Sequence, residues 1–152
     1  MPQYDTIAKF YDAAMGDSTK VISLLHHWIG RHHPRAKKIL ELACGTGAIM
    51  NRLTKFYDVR GVDLSKGMLA IAKKQVPQGV FYRQDITKFS VPEKFDVIFC
   101  VFDSINHLLK FNEWKQVFVR TQEHLKSGGL FIFDINTQKK LTRLVAEPPK
   151  VI

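Results

Sequence analysis

A chain of 152 residues, 45% hydrophobic and 24% charged, has the composition of a folded globular protein and the length of one domain. No apolar run is long enough to cross a membrane and Met1-Pro2-Gln3-Tyr4-Asp5 is not the start of a secretory signal, so a cytoplasmic protein is expected. The formal charge of +9 raises nucleic acid as a partner, but its placement disfavours one: residues such as Arg35, Lys38, Arg60, Lys74 and Lys126 fall at helix ends or ahead of strands, away from the edge where parallel sheets bind ligands.

In chain order, Tyr4 to Met15 fits a short helix carrying Ile7, Ala8, Phe10 and Tyr11. From Ser18 to Gly30 an apolar stripe of Val21, Ile22, Leu25 and Ile29 predicts a helix packed on a sheet. His26, His27, His32 and His33 surround its end with no cysteine or carboxylate at ligand spacing; they read as a solvated polar end, and no metal site is expected.

The centre of the chain is Glu41-Leu42-Ala43-Cys44-Gly45-Thr46-Gly47-Ala48-Ile49. A short apolar strand from Lys38 runs into a glycine-bracketed turn, and a helix from Ala48 to about Tyr57 follows at once. Gly45 and Gly47 permit a tight turn and a close backbone approach, so both are candidate ligand contacts. Met50 stands where a dinucleotide fingerprint needs a small residue, which weakens a pyrophosphate reading. Glu41 adds a carboxylate just below the turn, suited to an ammonium group. Cys44 and Cys100 each close an apolar strand and read as small buried side chains on the cofactor side rather than as a disulfide.

The segment Glu41-Leu-Ala-Cys-Gly-Thr-Gly47 resembles motif I of the class I S-adenosylmethionine-dependent methyltransferases, with Ala43 where glycine is commoner. The resemblance implies S-adenosylmethionine as cofactor and a methyl acceptor that is a small molecule. The opening segment is similar to the Tyr-Asp-x-x-Ala-x-x-Tyr-Asp start of many small-molecule members, which implies that Tyr4 and Tyr11 help to close the site.

Asp58 to Asp63 is a second strand that ends in an acid about twenty residues past the turn, the spacing at which a carboxylate accepts ribose hydroxyls. A helix cap is the competing role for Asp63, but Ser65 is the better cap for the helix Lys66 to Gln75. Leu64 and Met68 lie beside the expected adenosine pocket. Val80 to Ile86 is a third strand. On the resemblance Asp85 accepts from the adenine amino group and the Ile86 backbone supports the ring, with an Asx-turn as the alternative for Asp85. Phe95 to Phe102 is a continuous apolar strand for the sheet centre, and Asp103-Ser-Ile-Asn-His107-Leu resembles motif IV on the acceptor side. His107 and Tyr11 are weak candidates for taking a proton from an acceptor; no catalytic residue is otherwise assigned. Phe111 to Lys126 is an amphipathic helix, Ser127-Gly128-Gly129 ends it, Leu130 to Ile135 is a fifth strand, and a short helix runs from Thr137 to Ala146.

These elements predict an α/β fold, a doubly wound Rossmann-like parallel sheet of order 3-2-1-4-5, within a single S-adenosylmethionine-binding domain over residues 1–152. Five acids, Glu41, Asp63, Asp85, Asp103 and Asp134, are expected on one rim. The family usually continues with two more strands that are lacking here. A C-terminally incomplete domain is therefore expected, or a homodimer through the exposed fifth-strand edge. The rival readings are an RNA methyltransferase, which predicts basic residues at the crevice, a nicotinamide dehydrogenase, and a non-catalytic S-adenosylmethionine-binding module.

Overall fold

Alternation along the central strands decides the layers. In the computed structural model, which describes residue 8, residues 10–13 and residues 16–146, five parallel strands form one sheet of order β3-β2-β1-β4-β5. They are β1 (Lys38–Leu42), β2 (Asp58–Asp63), β3 (Val80–Arg83), β4 (Phe95–Cys100) and β5 (Leu125–Phe133). Ile39 of β1 and Val97 and Phe99 of β4 face one side, where they pack with Ile22, Leu25 and Ile29 of α1 (Thr19–His32) and Ile49, Met50 and Leu53 of α2 (Ala48–Leu53). Leu40, Leu42, Ile98 and Cys100 face the other side, against Phe89, Val91 and Val117 of α4 (Phe111–His124). Successive residues of a strand point to opposite faces, so two cores follow from one apolar run. Helix α3 (Lys66–Gln75) lies beside α2, and α5 (Gln138–Ala146) follows β5.

The predicted strand order and parallel pairing hold; the errors are at element ends. Helix α2 stops at Leu53 rather than Tyr57, because the Thr54 hydroxyl donates to the Asn51 carbonyl and the chain tightens toward β2. β3 ends at Arg83 rather than Ile86: the Gln84 N–H still donates to the Asp63 carbonyl, but its side-chain amide pairs with the Ser90 backbone and Asp85 folds into a turn with Thr87. β4 ends at Cys100 rather than Phe102, since Phe102 and Asp103 both adopt left-handed backbone with φ of 59° and 60°. Helix α4 ends at His124, and the residues read as its cap belong to β5: Phe95 faces Leu125, but Val97 faces Leu130, so the segment around Gly128, at φ 73°, bulges outward.

Basic residues at the amino-end side of β1, β2 and β5 are paired with acids. Lys38 Nζ lies 2.8 Å from Glu93, Arg60 Nε 3.2 Å from the same carboxylate, and Lys126 Nζ 2.8 Å from Asp96. Among the described residues no helix is long and apolar enough to cross a membrane.

Candidate cofactor site

Beyond the carboxyl ends of β1, β2 and β4 the chain turns sharply and leaves two adjoining hollows. The larger, about 270 Å³, is lined by Asp63, Leu64, Met68, Asp85, Ile86 and Thr87 on one side and by Phe102, Ser104, His107, Leu108 and Glu113 on the other. The smaller, about 60 Å³, is walled by Glu41, Cys44, Thr46, Ala48, Ile49 and Asp12. Tyr11, Ala43, Gly45, Phe102 and Ser104 line both. The polar atoms come from strand tips and turns, and the rigid sheet fixes them relative to one another.

The turn itself is built of positive φ values. Ala43 stands at 54°, Gly45 at 54° and Gly47 at 78°. An alanine at such an angle is strained, which explains physically why glycine is commoner in motif I at that position. Gly45 has its side-chain space free except for the Tyr11 ring 3.9 Å away, so a ligand can approach the backbone there. Gly47 serves differently: a Cβ on it would stand 3.2 Å from Ala72 Cβ of α3, and it lines neither hollow. Its proximity lets α2 and α3 pack.

Asp63 is the best-oriented carboxylate. Its Oδ2 accepts from the Gly45 N–H at 2.8 Å and its Oδ1 from the Ser65 N–H at 2.8 Å, which fixes the carboxylate in the wall of the larger hollow. Each oxygen keeps acceptor capacity for a ligand hydroxyl. Ser65, in turn, caps α3 by accepting from the Met68 N–H at 3.1 Å, so the cap does not fall on Asp63. Burial raises the Asp63 carboxyl above its ordinary range, and the N–H groups of Ser65, Gly45 and Leu64 oppose that shift.

Asp85 combines two roles. Its Oδ1 accepts from the Thr87 N–H at 2.9 Å and from the Thr87 hydroxyl at 2.8 Å, the Asx-turn geometry, while the residue also lines the larger hollow with Ile86. Glu41 is 4% exposed and lines the smaller hollow, with Oε2 lacking a partner among the described residues. Cys44 lines that hollow too, but Cys100 is buried away from both. Burial first and the Asp134 charge next push the Cys100 thiol up to about 12, and burial pushes Cys44 up as well.

The rim of five acids is not what forms. The Asp103 carboxylate receives Lys140 Nζ at 3.0 and 2.9 Å, and Asp134 accepts the N–H groups of Phe102 and Asp103, each at 3.0 Å. Neither lines a hollow, because both are used to hold the left-handed turn after β4 against the segment after β5. Two contacts escaped the sequence. Asp12 receives the Thr46 hydroxyl and, at 2.7 Å, the Gln75 amide, which holds the Tyr11 segment over the glycine turn. Ser104, whose hydroxyl donates to the Val101 carbonyl at 2.8 Å, sits where the hollows meet. The repeated Tyr-Asp pair was a signal for Asp12; nothing local marks Ser104. Tyr4 lies outside the described residues.

A glycine-turn cradle and an oriented acid at adjacent strand tips, beyond the carboxyl ends of a parallel sheet, define a nucleoside-binding domain of the Rossmann-like class. Residues 39–129, more than half of the chain, match the family model described as a methyltransferase domain. A Geobacillus sp. (strain WCH70) relative described only as a candidate methyltransferase is 36% identical over 151 residues, 93% of this chain and 60% of its own length. The dTDP-3-amino-3,6-dideoxy-alpha-D-glucopyranose N,N-dimethyltransferase of Streptomyces fradiae is 35% identical over 107 residues, 70% of this chain and 42% of that one. Among solved structures, an S-adenosylmethionine-dependent methyltransferase from Clostridium acetobutylicum ATCC 824 superposes with a TM-score of 0.81 at 34% identity, covering 93% of this chain and 61% of that one. The chain belongs to the methyltransferase-domain family of class I S-adenosylmethionine-dependent methyltransferases. It spans about half the length of the relatives it matches.

Proposed function

We propose that the chain binds S-adenosylmethionine in the two joined hollows and transfers its methyl group to a small-molecule acceptor. The observation that carries this is Asp63, held by the Gly45 and Ser65 N–H groups in the hollow wall beside the glycine turn. The lining also fits the ligand in charge: among the described residues Glu41, Asp63 and Asp85 are present and no lysine or arginine is, which suits a cationic nucleoside better than a pyrophosphate. When bound, S-adenosylmethionine supplies an electrophilic methyl group on a sulfonium centre.

On this reading Asp63 accepts the ribose hydroxyls, Asp85 and Ile86 face the adenine edge, Leu64 and Met68 form apolar walls, and Gly45, Cys44 and Glu41 surround the amino-acid end. The acceptor side falls to Ser104 and His107, with Tyr11 covering the junction. These groups align and exclude water, and alignment is the main source of rate for an activated methyl donor. His107 and Tyr11, with Glu113 in the same lining, are candidates to hold or move an acceptor proton. Small-molecule acceptors are supported by relatives described as sugar N-methyltransferases. The acids of the lining, with no lysine or arginine among its described residues, favour a small acceptor over RNA.

The outer edge of β5 pairs with nothing among the described residues. A second copy pairing there remains the assembly the sequence suggests, and sedimentation at two protein concentrations tests it.

Titration calorimetry with S-adenosylhomocysteine and with NAD tests the main reading. The sulfur nucleoside is expected to bind and NAD not to. Asp63→Ala should weaken that binding about 30-fold or more, the loss of charge-assisted hydrogen bonds. Preference for NAD, or unchanged affinity in the variant, would reject it.

A further inference from the structure

Among the described residues the smaller hollow is lined by acids with no base to answer them. The described residues of its lining include Asp12 and Glu41 and no lysine, arginine or histidine. Asp12 is engaged on both oxygens, by the Thr46 hydroxyl and the Gln75 amide. Glu41 is different: it is buried, the Met50 N–H is the donor turned toward it, and Oε2 has no partner among the described residues. A buried carboxylate with so few donors is far costlier charged than neutral.

The groups facing Glu41 reinforce this. Asp63 approaches from β2, the Cys44 thiol from the turn and the Cys100 thiol from β4; from α2 there is only the Met50 backbone N–H. Among the described residues, every ionisable side chain named here is therefore an acid. Burial first and the Asp63 charge second push the Glu41 carboxyl well above the usual carboxylate range. Between the two acids, Asp63 has backbone donors on both oxygens, so it is the better site for a negative charge and Glu41 the better site for a proton.

We propose that Glu41 is a neutral carboxylic acid until a cationic amine enters the smaller hollow, that it then loses its proton to solvent, and that this exchange makes the hollow selective for the charge of its ligand. The inference rests on the reading of the hollows as the S-adenosylmethionine site and adds what discriminates at its amino-acid end. In the exchange the Oε2–H bond breaks, the proton passes to water and buffer, and the ligand ammonium balances the new carboxylate. No other bond changes and no electron moves.

Two consequences separate this from a fixed negative wall. A ligand without an ammonium meets a neutral surface and binds with no pH dependence from Glu41. A ligand with one binds with net release of a proton, so its affinity rises with pH, by at most about tenfold per unit, until Glu41 ionises in the free protein as well or the ligand's own α-amino group begins to deprotonate. A permanently charged Glu41 would give a flat profile over the same range.

The test is titration calorimetry at about pH 6.5 in two buffers of different ionisation enthalpy, with S-adenosylhomocysteine, which carries the α-amino group, and with 5′-methylthioadenosine, which lacks it. The expected result is net proton release on binding S-adenosylhomocysteine and none on binding 5′-methylthioadenosine. Glu41→Gln keeps the shape without the titratable proton. It should bind S-adenosylhomocysteine about tenfold or more weaker, with no proton release, and 5′-methylthioadenosine within about twofold of the parent. Buffer-independent heats for S-adenosylhomocysteine in the parent, or proton release that persists in Glu41→Gln, would overturn the proposal while leaving the cofactor reading intact. Failure of both nucleosides to bind the folded parent would overturn the cofactor reading and the proposal with it. Should Glu41→Gln not fold, the parent's heats in the two buffers still decide.

Discussion

Asp96 joins three parts of the chain through one carboxylate, and its removal should be costly in a pH-dependent way. Its Oδ2 accepts the N–H groups of Lys37 and Lys38, each at 2.9 Å, and its Oδ1 receives Lys126 Nζ at 2.8 Å. The approach to β1, the start of β4 and the bulge of β5 therefore share a single anion that is 8% exposed. Burial alone would raise the Asp96 carboxyl; the Lys126 bond and the two backbone donors outweigh it and bring it down to about 2 from 3.8. Because the folded value is depressed, the stabilisation is present above the unfolded value and is lost as pH falls from near 4 through about 2. The shift corresponds to about 2 kcal/mol at neutral pH. Asp96→Asn should cost about 2–3 kcal/mol at pH 7, or roughly 5–10 °C in Tm for a chain of this size. Urea and thermal unfolding followed by circular dichroism would measure it, and the gap between variant and parent should narrow as pH approaches 3. A variant within about 0.5 kcal/mol of the parent at neutral pH, or a gap that widens in acid, would refute the reasoning.

Two further outcomes follow from the packing around the site. Gly61→Ala puts a Cβ 2.7 Å from Cys44 Sγ and 3.1 Å from a Phe81 ring carbon; the Cys44 side chain must shift, at a cost of about 1–3 kcal/mol read by urea unfolding. The same change should weaken S-adenosylhomocysteine binding, because Cys44 lines the smaller hollow. The Cys100 thiol, pushed up to about 12 by burial first and by Asp134 next, and the similarly raised Cys44, should resist a thiol-labelling reagent in the native protein at about pH 8 and react in full on denaturation. Rapid native labelling of either would show a thiolate that the acidic surroundings should not allow.

What the amino-acid sequence determined by itself is what near neighbours decide. Apolar runs closed by acids located five strands, the Gly45-Thr46-Gly47 turn located the cradle, and Ser65 ahead of an amphipathic stretch located the start of α3, because strand burial, tight turns and caps depend on residues a few positions apart. The spacing from that turn to Asp63 was legible for the same reason, since one strand-helix-strand unit has a nearly constant length. The tertiary structure decided which partner each acid found. Asp134 bonds Phe102 and Asp103 across more than thirty residues of chain, so nothing local separates it from Asp63, although one builds a turn and the other a ligand wall. Sequence alone makes Gly47 a candidate ligand contact; its φ of 78° and the approach of Ala72 give it a backbone and packing role instead. Glu41 could be read as an acid below a turn; its burial among other acids with one oxygen unanswered, the property on which its charge depends, exists only once β1, β2, β4 and α2 have closed around it.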